Sequence, residues 1–460
     1  MKKSGKIFFL SVCCAAVAAA GLALTACGDK GDATAGLKPT EGLRYIPAPD
    51  GEEGYWVSGM GAAEVSELVI PSTYLDEPVT GIKASAFRGN EDLMSVAIPP
   101  SVKTIGEMAF YECGLLKAEF SEGLEEIGER AFSSCDISEI DLPESLKTIG
   151  EYAFAYCDSL KEITIPAGVV SIGEGSLHCE ALETITVAEG NESYYIEGGC
   201  LIERETKTLL HGGEKNAIPD GVVTLGELTF SGSLAESISL PDSVMTIGDL
   251  AFWSCENLTS VRLSPALKTI GESAFSNCPS LKNITIPDSV ETIGTFAFSS
   301  CSSLENITIP DSVETIERHA FWLCTNLKNV QLGKNMKTIG DGVFEDCSSL
   351  ENITIPDSVE TIENNAFNDC TGLKKLQLGK SVKKIGYEAF RNCALKKVVI
   401  PKSVEEIDNQ AFYSNGDNTV YLFAEVEEGE AAWELPFYTT IYWAGEWEYR
   451  NGEPYPSNNS

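Results

Sequence analysis

The sequence predicts a repeat solenoid: coils of 22 or 23 residues whose short parallel strands stack into a curved β-rich array, capped at both ends. Three observations carry this. Phenylalanine, mostly after alanine, recurs at Phe87, Phe110, Phe132 and Phe154, then after an interruption at Phe230, Phe252, Phe275, Phe298, Phe321, Phe344, Phe367, Phe390 and Phe412. Cysteine keeps the same beat, at Cys113, Cys135, Cys157 and Cys179 and then every 23 residues from Cys255 to Cys393. The stretch CSSLENITIPDSVETIE stands unchanged at 301–317 and at 347–363, with one coil carrying QLGKNMKTIG between the copies.

One coil shows how such a unit is built. From Cys347, the apolar positions are Leu350, Ile353, Ile355, Val359, Ile362, Ala366, Phe367 and Cys370, and no single helix or strand period fits them all. Ile353-Thr354-Ile355 alternates as a short strand, Pro356 ends it, Val359 to Ile362 forms a second extended side, and Ala366-Phe367 turns the corner. An isolated coil cannot fold: about six large buried side chains contribute ~1.5–3 kcal/mol each, against ~1–2 kcal/mol of backbone ordering for every residue. Stacked coils bury one another's open faces, so stability is a nearest-neighbour sum and the ends need caps.

In chain order, residues 1–26 have Lys2, Lys3 and Lys6 followed by an apolar run, the layout of a secretory signal. Leu24-Thr25-Ala26-Cys27 resembles the bacterial lipobox, which implies cleavage before Cys27 and lipidation of its sulfur. Residues 27–42 are the lipidated cysteine and a polar, Gly-rich stretch expected to be a flexible spacer. Residues 43–65 read as two short strands around a turn, an N-terminal cap, and 66–413 as the solenoid. Near 190–215 the beat fails, and alternation around Tyr194-Ile196 and Leu201-Ile202 between glycines reads as a hairpin-like excursion of one enlarged coil. Residues 414–460, with Val420, Leu422, Ile441, Trp443 and many aromatics, read as a C-terminal aromatic cap.

The pattern C-x-x-L-x-x-I-x-I-P-x-x-V-x-x-I-x-x-x-A-F-x-x-C, as in Cys347 to Cys370, resembles the BspA-like leucine-rich repeat of bacterial surface proteins, over roughly residues 66–413. The resemblance implies leucine-rich repeats as the fold and non-covalent binding at the cell surface as the work. A fold of this kind does not by itself name a ligand.

Charge narrows the partners. The formal net charge is −36, and removal of residues 1–26 takes away three lysines and no acids. Such a surface repels nucleic acid and anionic headgroups, so neither is an expected partner and the membrane is reached through the lipid anchor only.

Catalytic and metal chemistry are poorly supplied. The twelve cysteines after Cys27 stand at repeat positions about a strand spacing apart, ~4.8 Å, with parallel Cβ vectors, whereas a disulfide needs converging ones. They read as small buried hydrophobes. No C-x-x-C occurs, so neither metal nor cofactor is expected. The histidines, His178, His211 and His319, sit in unrelated repeat positions, which does not favour the convergence a catalytic triad needs. Asn283-Ile284-Thr285 and its copies match a glycosylation sequon that the repeat itself generates.

Two alternations of sign read as register marks. Asp311, Lys334, Asp357 and Lys380 share one position of successive coils, and Glu314, Lys337, Glu360 and Lys383 another. The candidate ligand surface is the outer side of the strands, where residues flanking the buried isoleucines make a polar carpet on a face expected to be concave. These are Arg262 (with Ser260), Asn283 and Thr285, Asn306 and Thr308, Asn329 and Gln331, Asn352 and Thr354, and Lys375 and Gln377. Trp253 and Trp322 at the corners are a second candidate, while Trp433, Trp443 and Trp447 read as cap packing. The expected function is a surface lipoprotein that binds a host or microbial protein or glycan. The alternative is a structural or accessory envelope lipoprotein without adhesin activity, and an enzyme is not expected.

Overall fold

The structure, a computed structural model, describes residues 31–49, 51–213, 217–413, 420–428, 433, 439–450 and 453–457. The signal segment 1–26 and Cys27 lie outside the described residues. The chain winds into a β-solenoid of about 16 turns, and no helix occurs among the described residues.

Each regular coil makes a longer strand, a two-residue strand and a tight corner. In the coil from Cys347, Asn352–Thr354 and Thr361–Ile362 are the strands, with Ile353, Ile355, Val359 and Ile362 buried. Pro356 lacks an N–H for the ladder and ends the first strand, and its carbonyl closes the turn by accepting from Val359 at 3.1 Å. The two strands form two rows of different continuity. The Thr-Ile row is unbroken from Thr224–Leu225 to Glu406–Ile407, and in the first half from Glu77–Ile82 to Ser171–Ile172. The outer row, to which Asn352–Thr354 belongs, falls into separate short sheets.

The corner holds something the sequence hides. Two residues per corner are left-handed, such as Asn365 (φ 54°) and Asp369 (φ 56°), or Phe296 (φ 53°) and Ser300 (φ 59°), though most of these positions are not glycine. A non-glycine residue there is disfavoured by roughly 1–2 kcal/mol. The conformation turns the N–H groups sideways onto the next coil. Asn365 N–H donates to the Tyr387 carbonyl and Asp369 N–H to that of Arg391, both at 2.9 Å. These bonds offset the strain and lock corner to corner.

Inside, the phenylalanines form two columns of near-parallel rings, with neighbouring centroids 5.0 Å apart at Phe87–Phe110 and 5.4 Å at Phe390–Phe412. All twelve described cysteines are unpaired and buried. The column thiols donate to the phenylalanine carbonyl of the preceding coil, as Cys370 does to Phe344 at 3.0 Å and Cys347 to Phe321 at 3.3 Å. Each of these carbonyls also accepts an N–H within its own corner, Cys347 N–H to Phe344 and Cys324 N–H to Phe321, both at 3.2 Å, so the thiol adds a second bond to the same oxygen.

The alternating charges close in pairs. Lys334 lies 3.2 Å from Asp311, Lys380 3.5 Å from Asp357 and Lys383 2.7 Å from Glu360. A third alternation, which the sequence reading did not single out, pairs Lys328 with Glu305 and Lys374 with Glu351, each at 3.2 Å. In every case the lysine pairs back to the preceding acidic coil, and among the described residues no ion pair joins Lys334 to Asp357 or Lys328 to Glu351. The outer row breaks at the same place, between Asn329–Gln331 and Asn352–Thr354. The acidic coil and the basic coil after it thus form a two-coil unit. Contrary to the expectation of an unbroken ladder, Glu314 and Lys337 are not joined within 4.0 Å. Lys383→Glu is expected to lower the melting temperature more in dilute buffer than in about 1 M salt, where the Debye length is about 3 Å. Equal losses at both salts would show that the pair does not hold the register.

At the interruption the excursion has three strands instead of a simple hairpin. Tyr194–Glu197 runs antiparallel to Cys200–Glu203, and that strand antiparallel to Thr208–His211, which rejoins the array by parallel pairing with Thr224–Leu225. After His211 the chain passes through Gly212-Gly213 and omits the Ala-Phe corner. The hydrophobic interior is correspondingly divided into two clusters that meet here.

The flanks cover the stack. Arg44–Pro47 pairs with Tyr55–Gly59, which continues into the Thr-Ile row through Glu77–Ile82. At the other end Val420–Ala424 and Thr439–Tyr442 extend the outer row beyond Lys397–Ile400. The Trp433 and Trp447 indoles donate to the carbonyls of Val404 at 3.3 Å and Ala424 at 2.8 Å, and Trp433 stacks on Trp443. Residues 31–42, expected as a flexible spacer, instead carry a turn and bonds to distant coils. Ala33 N–H donates to Ser121 Oγ, Thr40 N–H to the Val69 carbonyl, and Val69 N–H to Thr40 Oγ1, all at 2.9 Å.

Candidate functional site

The outer strand row places the sequence-derived candidates in register. Ser260 stands opposite Asn283, Asn283 opposite Asn306, and Asn306 opposite Asn329, while Thr308 pairs with Gln331. In the next unit Asn352 stands opposite Lys375 and Thr354 opposite Gln377. Strand alternation turns the central residue inward, buried in most strands and half-buried at Val330 and Leu376, and both neighbours outward, and all eleven candidates, Thr285 included, are exposed. Three are already engaged. Arg262 donates to the Leu240 carbonyl at 2.8 Å and to Asp242 at 2.7 Å, and Asn329 Nδ2 donates to Asn306 Oδ1 at 2.7 Å.

The same two positions continue through the first half, where the sequence reading named no residue. One row runs Lys117, Glu139, Glu162, Thr184, and the other Glu119, Asp141, Thr164, Thr186. Here the face is not flat. A cleft of about 980 Å³ lies between these strands and the 32–37 turn. The repeat carried no signal for it, because the 31–37 segment that closes the cleft lies outside the array.

The histidines depart from expectation. His178 and His211, distant in repeat register, come together at the interruption because the excursion removes a corner. Burial, then the neighbouring His178, pushes the His211 imidazole down to about 4, and burial pushes His178 down as well. Also across the interruption Tyr152 hydrogen bonds to Glu227, with the Arg130 guanidinium 4.6 Å from the Tyr152 ring centre. Burial and the Glu227 carboxylate push Glu174 above the usual carboxylate range. These polar contacts join the two halves of the array. The third histidine, His319, lies 3.2 Å from Glu345 and packs on the Phe296 and Trp322 rings, and the Trp322 indole donates to Asp346 at 3.3 Å. Burial raises Cys113 to about 11 and Cys157 and Cys301 to about 12, which makes these thiols poor nucleophiles, while the hydrogen bond with the Cys278 thiol lowers Cys255. Among the described residues no group of three or more His, Cys, Asp or Glu side chains is placed to hold a metal ion.

Residues 80–198, 214–323 and 291–418 match the family described as the BspA type leucine rich repeat region, in 6 copies. The chain belongs to the BspA-type leucine-rich repeat family. Among solved structures, a leucine-rich repeat protein from Eubacterium ventriosum is 26% identical, with a TM-score of 0.61 over 72% of this chain and 93% of the other. A leucine-rich repeat protein from Bacteroides ovatus is 29% identical, with a TM-score of 0.47 over 86% and 98%. A leucine rich cell surface protein from Faecalibacterium prausnitzii is 28% identical, with a TM-score of 0.49 over 64% and 94%. Among curated proteins none matches this chain.

Proposed function

We propose that this protein is exported, anchored through a lipid on Cys27, and binds a protein or glycan non-covalently through the outer face of its strands. The observation that carries the binding reading is the register of that face. Residues such as Asn306, Thr308, Gln331, Asn352 and Thr354 present amides and hydroxyls at a fixed spacing on a rigid lattice. A surface ordered before binding loses little side-chain and backbone freedom when a ligand arrives. The Leu24-Thr25-Ala26-Cys27 sequence supports the anchoring, and the high thiol pKa values and scattered polar clusters fit a scaffold better than an enzyme.

The test is a pull-down and a glycan array with the full chain, repeated with Thr308→Asp, Gln331→Asp and Thr354→Asp together. Loss of the captured ligand, with the folding transition unchanged, is the expected result. Undiminished capture would remove this strand face as the site. In the same cells Cys27→Ser is expected to release the protein from the membrane fraction, and retention there would end the lipid-anchor reading.

A further inference from the structure

We propose that the strand face, at its C-terminal end around Lys375, takes an extended peptide in which a tyrosine stands between prolines with a carboxylate beside it. This deepens the strand-face reading and rests on it. The chain itself shows the mode of docking one strand further on. Trp447–Arg450 and Glu453–Pro456 pair as an antiparallel hairpin, which lies against the outward side of Lys397–Ile400 and Val420–Ala424. Val398 and Ile400 are buried in the core, so alternation turns Lys397 outward. Its Nζ donates to the Pro454 carbonyl at 3.1 Å and lies 3.6 Å from the centre of the Tyr455 ring. The Trp447 ring meets Phe423, which stands opposite Val399, edge-on with centroids 5.7 Å apart.

The neighbouring strand presents the same lysine to solvent. Lys375–Gln377 lies beside Lys397–Ile400, and aligning Leu376 with Val398 and Leu378 with Ile400 sets Lys375 level with Lys397. Lys375 and Gln377 are both exposed. Charge favours an acidic occupant at this end alone. Between residues 374 and 397 stand seven lysines and one arginine against one carboxylate, Glu388, in a chain of formal net charge −36. Lys374 is paired with Glu351, Lys380 with Asp357, Lys383 with Glu360, Lys384 with Glu406 and Arg391 with Glu388. Lys375 and Lys396 are exposed and, among the described residues, in no ion pair, so they are the cations left for a ligand. A lysine attracts the face of a tyrosine ring and donates a charge-assisted hydrogen bond to a carbonyl. Prolines hold a segment extended before it binds, so little freedom is lost. An acidic glycan answers the charge but brings no aromatic ring to Lys375, and a basic peptide is repelled.

The test uses the full chain and the fluorescence anisotropy of a labelled Glu-Pro-Tyr-Pro-Ser peptide, the sequence of residues 453–457. The peptide is expected to bind, alanine in place of its tyrosine to weaken it at least about fivefold, and Lys375→Glu to weaken it at least about tenfold with the folding transition unchanged. Lys282→Glu makes the same change in charge on a distant coil and is expected to leave the affinity within about twofold. Equal weakening by both substitutions would show general attraction and overturn the site. Loss with Lys397→Ala but not with Lys375→Glu would show that the peptide only displaces the hairpin of the chain, and would overturn it too. Undiminished binding of the alanine peptide, or tighter binding of an oligogalacturonate, would overturn the choice of occupant. If the peptide fails while Thr308→Asp, Gln331→Asp and Thr354→Asp still abolish capture of the array ligand, only this inference falls. If neither experiment shows binding, the strand-face reading falls with it.

Discussion

Phe321→Ala is expected to cost about 3–5 kcal/mol, the range for emptying a fully buried aromatic site. The Phe321 side chain has no exposed surface, and its ring lies between those of Phe298 and Phe344, with centroids 5.2 and 5.4 Å away. The neighbouring coils cannot close the space, because the corner backbone is held on both sides by sideways bonds: Phe298 N–H donates to the Ala320 carbonyl at 2.7 Å on one side, and Phe321 N–H donates to the Val343 carbonyl at 2.9 Å on the other. In a one-dimensional array the damage stays local in energy while cutting the coupling between the coils on either side. Urea denaturation followed by tryptophan fluorescence should therefore show a lower midpoint and a broader or divided transition. A loss below about 1 kcal/mol would mean that the ring column is not the main source of coil-to-coil adhesion.

The second large effect is expected on acidification, at the seam between the two halves. His211 is held neutral by burial, with its folded pKa pushed down to about 4 from an ordinary 6.5. The unfolded chain takes up the proton first, so the stabilisation is complete above pH 6.5 and is lost as pH falls from 6.5 towards 4. The shift corresponds to at most about 3 kcal/mol. Glu174 runs the other way. Burial and Glu227 raise its pKa, so its contribution is present at acid pH, below its ordinary 4.5, and is lost as pH rises through the raised value. The exposed carboxylates Asp311, Asp357 and Glu360 are lowered from ordinary values of 3.8, 3.8 and 4.5, so their loss falls below the pH range that isolates His211. Denaturant midpoints between about pH 7 and about pH 4.5 should fall in the native protein and fall much less in His211→Gln. Glu174→Gln should remove the opposing trend and steepen the fall. Parallel curves for His211→Gln and the native protein would show that the seam does not sense protons.

The strand face proposed for ligand binding and the seam expected to respond to pH lie on one molecule, yet they were unequally legible. The columns of Phe and Cys, the two strand rows and the outward direction of Asn306 or Thr354 were all readable, since each position is repeated along the array and the repeats average out local accidents. The left-handed corners were not readable. Residues such as Phe296, His319 and Leu250 carry no preference for positive φ, and the conformation is imposed by N–H groups that bond to the next coil.

The sequence alone determined the period, the interior, the acidic surface and the alternation of charged coils, because these are properties of one coil and its copies. Tertiary structure alone decided the cleft beside Glu139 and Glu162, the closing of the lysines onto the preceding coil, and the meeting of His178 with His211. Each of these comes from a departure from the repeat: a turn laid over the strands, a one-sided pairing, a missing corner. The consequence of a departure depends on which coils it brings side by side, and that is settled only when the whole array has stacked.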